Sequence, residues 1–255
     1  MQAYSIDALI LRTYRYGEAD RIVVFLTADR GKKRGVAKNA TNSRRRFGAG
    51  LEPLTRGRVA YVEREQRELV RLDRIEPQGT PLDAANGHLL ADAAHVLSHA
   101  AYFAELLDEW SPDGQANERL FRLGGSVGEA LGLGGSVEAL ARYFEYWLLR
   151  LEGVYPALDV CPRCGHGTLG DGAVLVPSER HFVCGDCAHA GARLSGAAVA
   201  FLRSLRTRTP AEVTETGAPP AALREIEHVH QRLIAMHLEK ELRSARVVKE
   251  LRPHP

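Results

Sequence analysis

No window of the sequence approaches the roughly 18 consecutive apolar residues that a membrane-spanning helix needs. The chain does not open on basic residues followed by an apolar run, so it reads as lacking a secretory signal, and its expected location is the cytoplasm. Cysteine is scarce and unevenly placed: all four lie between residues 161 and 187. That distribution speaks against scattered disulfides and for a metal site. There is no Walker signature, no His-Glu-x-x-His and no Ser/His/Asp order. Internal repeats and sustained heptads are also missing. These absences leave little sign of catalysis. The best enzymatic alternative is a metal-dependent nuclease using Glu63, Glu65, Glu68 or Asp73, and those acids sit among Arg64, Arg67 and Arg71 like a solvated strand face.

Acidic residues are wholly absent from Arg30 to Arg46, where eight of seventeen residues are basic. A strip of this kind can displace counterions from a phosphate backbone. The charge of the whole chain is only +2, but residues 1–80 carry 17 Lys/Arg against 10 Asp/Glu, and the remainder carries 17 against 22. The pattern joins a polyanion-facing module to an acidic one. Lys32, Lys33, Arg34, Lys38, Arg44, Arg45 and Arg46, with Arg56 and Arg58, are the candidate phosphate ligands. Tyr14, Tyr16, Phe47 and Tyr61 are candidate stacking platforms, with Tyr61 favoured as core. Nothing here calls for base-edge readout, so nucleic-acid binding is expected to be sequence-tolerant. Phosphate contacts alone do not separate DNA from RNA, and an RNA-binding zinc-ribbon adaptor is a competing reading.

Short apolar runs at Ala8–Leu11 and Ile22–Leu26, then segments near Lys33–Ala37, Arg56–Glu63 and Glu68–Ile75, predict five strands. Five strands in about 75 residues predict a small barrel, OB-fold or SH3-like. The connection from Asn39 to Glu52 is expected to be a loop, mobile from Asn39 to Arg46. Pro77–Pro81 marks a boundary, giving domains at 1–79 and 80–255. Helical periodicity follows, from Leu89 to about Trp110, from Gln115 to Leu131, and from Ser136, which is placed to cap its helix. Six glycines between Leu123 and Ser136 read as helix ends and a turn. Further helices are expected at Ser195–Arg206 and Ala221–Leu242, with Thr209–Pro220 as a linker.

Cys161-Pro162-Arg163-Cys164 and Cys184-Gly185-Asp186-Cys187 form two Cys-x-x-Cys knuckles 19 residues apart. Two such turns supply four thiolates in tetrahedral array, which suits one Zn2+ in a closed, structural site. Val174–Val176 and His181–Val183 between them predict the strands of a zinc ribbon, in a segment at about 157–193. His166, His181 and His189 are surplus donors.

Several stretches together resemble the RecO family of recombination mediators. They are Ala8–Thr13 with Tyr16–Val23, Leu26-Thr27 and Gly31-Lys32; then Phe47 and Leu51–Leu54; then Phe144-Glu145, Leu148-Leu149, Gly153, Pro156 and Leu158 running into Cys161–Gly165; then His237-Leu238 and Leu242–Arg246. The resemblance implies an α+β multidomain protein: an N-terminal five-stranded OB-fold β-barrel, then an α-helical domain with an inserted zinc-binding segment. It implies a protein that is not an enzyme, that binds single- and double-stranded DNA, anneals complementary strands and is associated with the nucleoid. It also implies RecR and the acidic C-terminal tail of the single-stranded DNA-binding protein as partners, with RecA loaded indirectly and no membrane involved.

Overall fold

The structure is a computed structural model and describes residues 1–65, 67–83, 90–165, 169–188, 190–238 and 242–251. Leu89, His166 and His189 lie outside them. The chain divides into two compact units, one of residues 1–134 with the stretch from Leu242, the other of residues 135–241.

The first unit is built on five strands, β1 (Gln2–Tyr16), β2 (Asp20–Thr27), β3 (Gly31–Ala37), β4 (Arg56–Glu63) and β5 (Val70–Gly79). They pair in the closed order β1-β2-β3-β5-β4, with β4 returning to β1, so the OB-like sheet is a barrel. One long strand serves two neighbours: Gln2–Leu9 of β1 pair with β4, and Ala8–Tyr16 pair with β2, with a register shift between Ile10 and Arg12. The short parallel ladder from Gly35–Ala37 to Val70–Leu72 completes the ring.

The apolar runs of β1 and β2 are continuous because both faces are buried. Ala8, Ile10, Val23 and Phe25 point into the barrel with Val59, Tyr61, Leu72 and Ile75. The alternate residues Leu9, Leu11, Val24 and Leu26 are equally buried but lie outside that inner cluster. Helices α1 (Leu90–Trp110) and α2 (Glu118–Leu133) pack over this outer face. Each large aliphatic side chain so covered contributes about 1.5–3 kcal/mol. This is why the first unit runs past the boundary expected near residue 79: without the helices, the outer face of β1 would be an exposed apolar stripe.

Four of the six glycines expected at helix ends lie inside α2. Gly124 sits where a Cβ would fall 2.5 Å from Leu9 Cδ2 and 2.7 Å from Leu107 Cδ1. Gly124 therefore lets α2 approach β1 and α1 closely, and only Gly134 and Gly135 form the turn. The 39–52 connection also differs from the mobile loop expected. Two short 3-10 turns, Ala40–Asn42 and Gly48–Leu51, build it. Ala40 and Phe47 belong to the barrel core, and the Ile75 N–H donates to the Arg46 carbonyl (2.8 Å). Burying Phe47 pins the segment to the barrel.

The second unit holds α3 (Val137–Leu151), a three-stranded sheet of β6 (Gly172–Val176), β7 (His181–Val183) and β8 (Ala192–Ser195) in the order β7-β6-β8, and then α4 (Gly196–Ser204), α5 (Pro210–Thr216) and α6 (Pro220–Leu238). Ser136 caps α3 by accepting from the Ala139 N–H (3.2 Å). The expected linker at 209–220 contains α5 instead. Its signature is Thr-Pro-Ala-Glu, a capping box in which Thr209 and Glu212 satisfy each other's backbone N–H groups. The last helical run is described as far as Leu238, and a further helix, α7 (Arg243–Glu250), belongs to the first unit and packs on α1.

The core of the second unit contains a polar chain. His230, fully buried, pairs with Glu145 (Nδ1 to Oε2, 2.9 Å) and meets the Tyr155 hydroxyl (3.2 Å). Arg142 donates to the other Glu145 oxygen (2.8 Å). Burial pushes the His230 pKa down, against the upward pull of Glu145.

A glycine and a histidine in this fold give measurable expectations. A Cβ on Gly31, whose φ is +66°, would lie 2.2 Å from the Gln115 carbonyl oxygen. Gly31→Ala should cost on the order of 1–3 kcal/mol in denaturant unfolding. His230 is held neutral, so the unfolded chain binds the extra proton first. The stability this histidine contributes is present above about pH 6.5 and is lost as pH falls below it. The unfolding midpoint should drop between about pH 7.5 and 5.5, and His230→Asn should flatten that drop.

Candidate nucleic-acid interface and metal centre

The nine expected phosphate ligands all sit on or beside the barrel, but their environments divide them. Lys32 is 7% exposed. Its ammonium is held by the Asp108 carboxylate (3.0 Å), the Asp108 carbonyl (2.6 Å) and Asp113 (3.5 Å). This lysine is thus tied to α1 through Asp108. Lys33 pairs with Glu63 (2.8 Å) and Arg56 with Glu129 (2.8 Å). Arg46 donates to the Lys38 carbonyl (2.6 Å) and to Ser43 (2.9 Å), and lies over the Phe47 ring. It shapes the 40–52 turn as much as it charges it.

The remaining cations are presented to solvent. Arg34 is exposed and only loosely near Asp113 (3.8 Å), and Arg58 is similarly loose against Asp7 (3.7 Å). Lys38, Arg44 and Arg45 are exposed, with no carboxylate within ion-pair distance among the described residues. Of the aromatic candidates, Phe47 (2%) and Tyr61 (1%) are core, whereas Tyr14 (45%) and Tyr16 (50%) stand in solvent. Two further basic residues carry no signal in the sequence. Arg15 and Arg21 flank the Gly17 turn and lie directly opposite one another in the β1–β2 ladder. Only strand register reveals that pairing.

The knuckles come together as their spacing predicts. Gly165 N–H closes the first on the Cys161 carbonyl (2.9 Å), and Cys187 N–H closes the second on that of Cys184 (3.1 Å). All four Sγ atoms lie within 4.8 Å of one another, and none is in a disulfide. Cys164 and Cys184 sulfurs are 3.8 Å apart. A tetrahedron with metal–sulfur bonds of about 2.3 Å has edges of about 3.8 Å, so the set fits a four-coordinate ion. Burial pushes the Cys161 thiol up, but hydrogen bonds from the backbone of Cys184, Cys164 and Arg163 outweigh it and bring it to about 6. That environment favours the thiolate a metal requires. Arg163 braces the centre from outside, bonding both Glu179 and the Cys187 carbonyl. His181 lies on β7 and is exposed.

The family model described as "Recombination protein O N terminal" matches residues 1–80, and "Recombination protein O C terminal" matches residues 93–246. The DNA repair protein RecO of Koribacter versatilis (strain Ellin345) is 36% identical over 247 residues, covering 96% of this chain and 98% of that protein. The protein of the same name from Geobacter sulfurreducens is 34% identical over 254 residues, 99% of this chain and 100% of that one. That from Anaeromyxobacter sp. (strain K) is 34% identical over 258 residues, 99% and 98% respectively. The chain belongs to the RecO family of DNA repair and recombination proteins.

Proposed function

We propose that this chain is a non-enzymatic recombination mediator. It binds single- and double-stranded DNA, anneals complementary strands and, with RecR, helps load RecA onto strands covered by the single-stranded DNA-binding protein. The observation that carries the reading is the set of solvent-facing cations, Arg34, Lys38, Arg44, Arg45 and Arg58, on one rigid barrel. Fixed cations neutralise phosphates without holding the bases, so two strands can be brought close while their pairing edges stay free. Its working location is the cytoplasm, at the nucleoid. Within the first unit, the barrel of residues 1–79 is the DNA-binding module of this reading, with the rest of the chain, 80–255, attached to it.

For the acidic tail of the single-stranded DNA-binding protein, the second unit offers a pocket of about 180 Å³. Val154, Leu233 and Met236 give it apolar walls, and Arg180 supplies positive charge beside His237. For the metal, an all-sulfur donor set with no position for water favours one structural Zn2+ at Cys161, Cys164, Cys184 and Cys187. The nuclease alternative is weakened by the pairing of its acids: Glu63 faces Lys33 and Asp73 faces Arg71. The RNA-adaptor alternative is decided by competing single-stranded DNA against RNA of equal length.

Strand annealing on DNA coated with the single-stranded DNA-binding protein, with and without RecR, tests the mediator role directly; no acceleration in either case removes it. Arg44→Ala with Arg45→Ala should weaken duplex binding and reduce the slope of log affinity against log salt by about 2, roughly 0.9 for each phosphate left unneutralised. Anisotropy titrations across salt concentrations measure this, and an unchanged slope contradicts the interface. The purified protein should carry one zinc per chain. Chelation or Cys161→Ser should expose the amides of β6 and β7 to hydrogen exchange while barrel amides stay protected.

A further inference from the structure

A trough of about 580 Å³ lies on the barrel surface beside the 40–53 segment. Arg21 and Arg44 line it, together with Thr41, Leu51, Glu52 and Pro53. Its walls are fixed. The Thr13 hydroxyl donates to the Leu51 carbonyl (2.9 Å), and the Thr41 hydroxyl and N–H both donate to the Ala19 carbonyl (3.2 and 3.1 Å). A volume of this size falls in the range of small-molecule sites.

The charges around it are unbalanced. Arg15 and Arg21 are direct cross-strand partners in the β1–β2 ladder, so their side chains share one face. Like charges placed so are destabilising. Other barrel cations have close acidic partners, Lys33 with Glu63 and Arg56 with Glu129. Neither Arg15 nor Arg21 nor Arg44 has a carboxylate within 4.0 Å among the described residues, and Arg21 uses one of its N–H groups, on the Asp20 carbonyl (3.2 Å). Arg21 and Arg44 line the same trough, with Arg15 across the ladder from Arg21, so an anionic oxygen bound there would offset their like charge. Beyond them Leu51 and Pro53 give an apolar wall, and Glu52 is the only acid among the described residues that line the trough. Its carboxylate repels a phosphate and so directs one to the arginine end.

We infer that this trough is a nucleotide subsite for single-stranded DNA: a backbone phosphate sits between Arg21 and Arg44 with Arg15 at its edge, and an unstacked base lies against Leu51 and Pro53. The inference rests on the reading of the chain as a DNA-binding protein and adds a strand preference to it. In a duplex the bases are stacked inside and cannot enter the trough, whereas a single strand can turn one out. Arg21 therefore matters for single strands, while Arg58 and Lys38 serve both forms.

The test is anisotropy of the full chain on a labelled strand of about 20 nucleotides, longer than one barrel's site, and on the duplex of the same sequence. Arg21→Ala should weaken single-strand binding about tenfold, as expected for losing a charge-assisted bond, and change duplex binding less than about twofold. Arg15→Ala, at an exposed position, should shift both in the same directions by a smaller factor and serves as the second variant should Arg21→Ala fold poorly. Equal losses on both nucleic acids mean an ordinary phosphate contact and overturn the subsite. No loss on the single strand, with the unsubstituted chain binding it, also overturns the subsite and leaves DNA binding standing. If the unsubstituted chain binds neither form, the DNA-binding reading itself fails.

Discussion

The ion-pair cluster between α1 and the barrel is the constraint on which the first unit depends. Arg12 on β1 meets Asp108 (3.0 Å), Glu105 (3.1 Å) and Glu109 (3.3 Å), and Lys32 on β3 meets Asp108 (3.0 Å). Asp108 thus joins two strands to one helix. Glu105 extends the tie to α7, accepting from the Ser244 N–H (2.7 Å) and the Ser244 hydroxyl. These bonds hold Glu105 below the usual carboxylate range although burial pushes it up. Removing one partner of such a cluster strands the others in a poorly solvated place, at a cost on the order of 3–5 kcal/mol for the nearly buried Lys32–Asp108 pair. Register follows from the cluster as well. α1 cannot slide along β1 without separating Arg12 from its three carboxylates.

The same cluster sorts the basic residues by role. Lys32 and Arg12 hold α1, Arg56 meets Glu129 of α2, and Lys33 and Arg46 hold a strand and a turn. What faces solvent is smaller than the composition suggests, and it is fixed in place. The 40–52 segment carries Arg44 and Arg45 outward because Phe47 and Ala40 are sunk in the barrel core. A cation on an anchored turn loses little conformational freedom on meeting a phosphate, so more of its interaction energy appears as affinity.

The second unit uses a different device for each of its small parts. The ribbon has too few apolar residues for a core of its own, and its four thiolates converge as a metal centre would have them. The helices around α3 and α6 enclose instead the chain of Arg142, Glu145, His230 and Tyr155, in which Glu145 meets both Arg142 and His230 and the imidazole is bonded at both nitrogens. A buried polar chain of this kind gives less stability than specificity, because only one packing of α3 against α6 completes it.

The sequence alone determined what depends on local spacing. Strand β4 appears with the bounds expected of it, the knuckles converge as two Cys-x-x-Cys turns must, and Ser136 caps the helix it precedes. The capping box at Thr209–Glu212 is legible in the sequence too, and α5 looks like a linker only because Gly217 and the prolines around it are typical of one. Other features were invisible for a physical reason. Six glycines across a helix and a turn look like breakers until Leu9 and Leu107 are seen to need the space at Gly124. A lysine in a basic strip looks like a phosphate ligand until α1 brings Asp108 to it. The opposition of Arg15 and Arg21 depends on strand register, and register is set by which face of β1 the core claims. Residue type and spacing fixed the elements and the charge; the tertiary structure decided which charges are neutralised inside the protein and which remain in solvent, because only packing determines what each side chain meets.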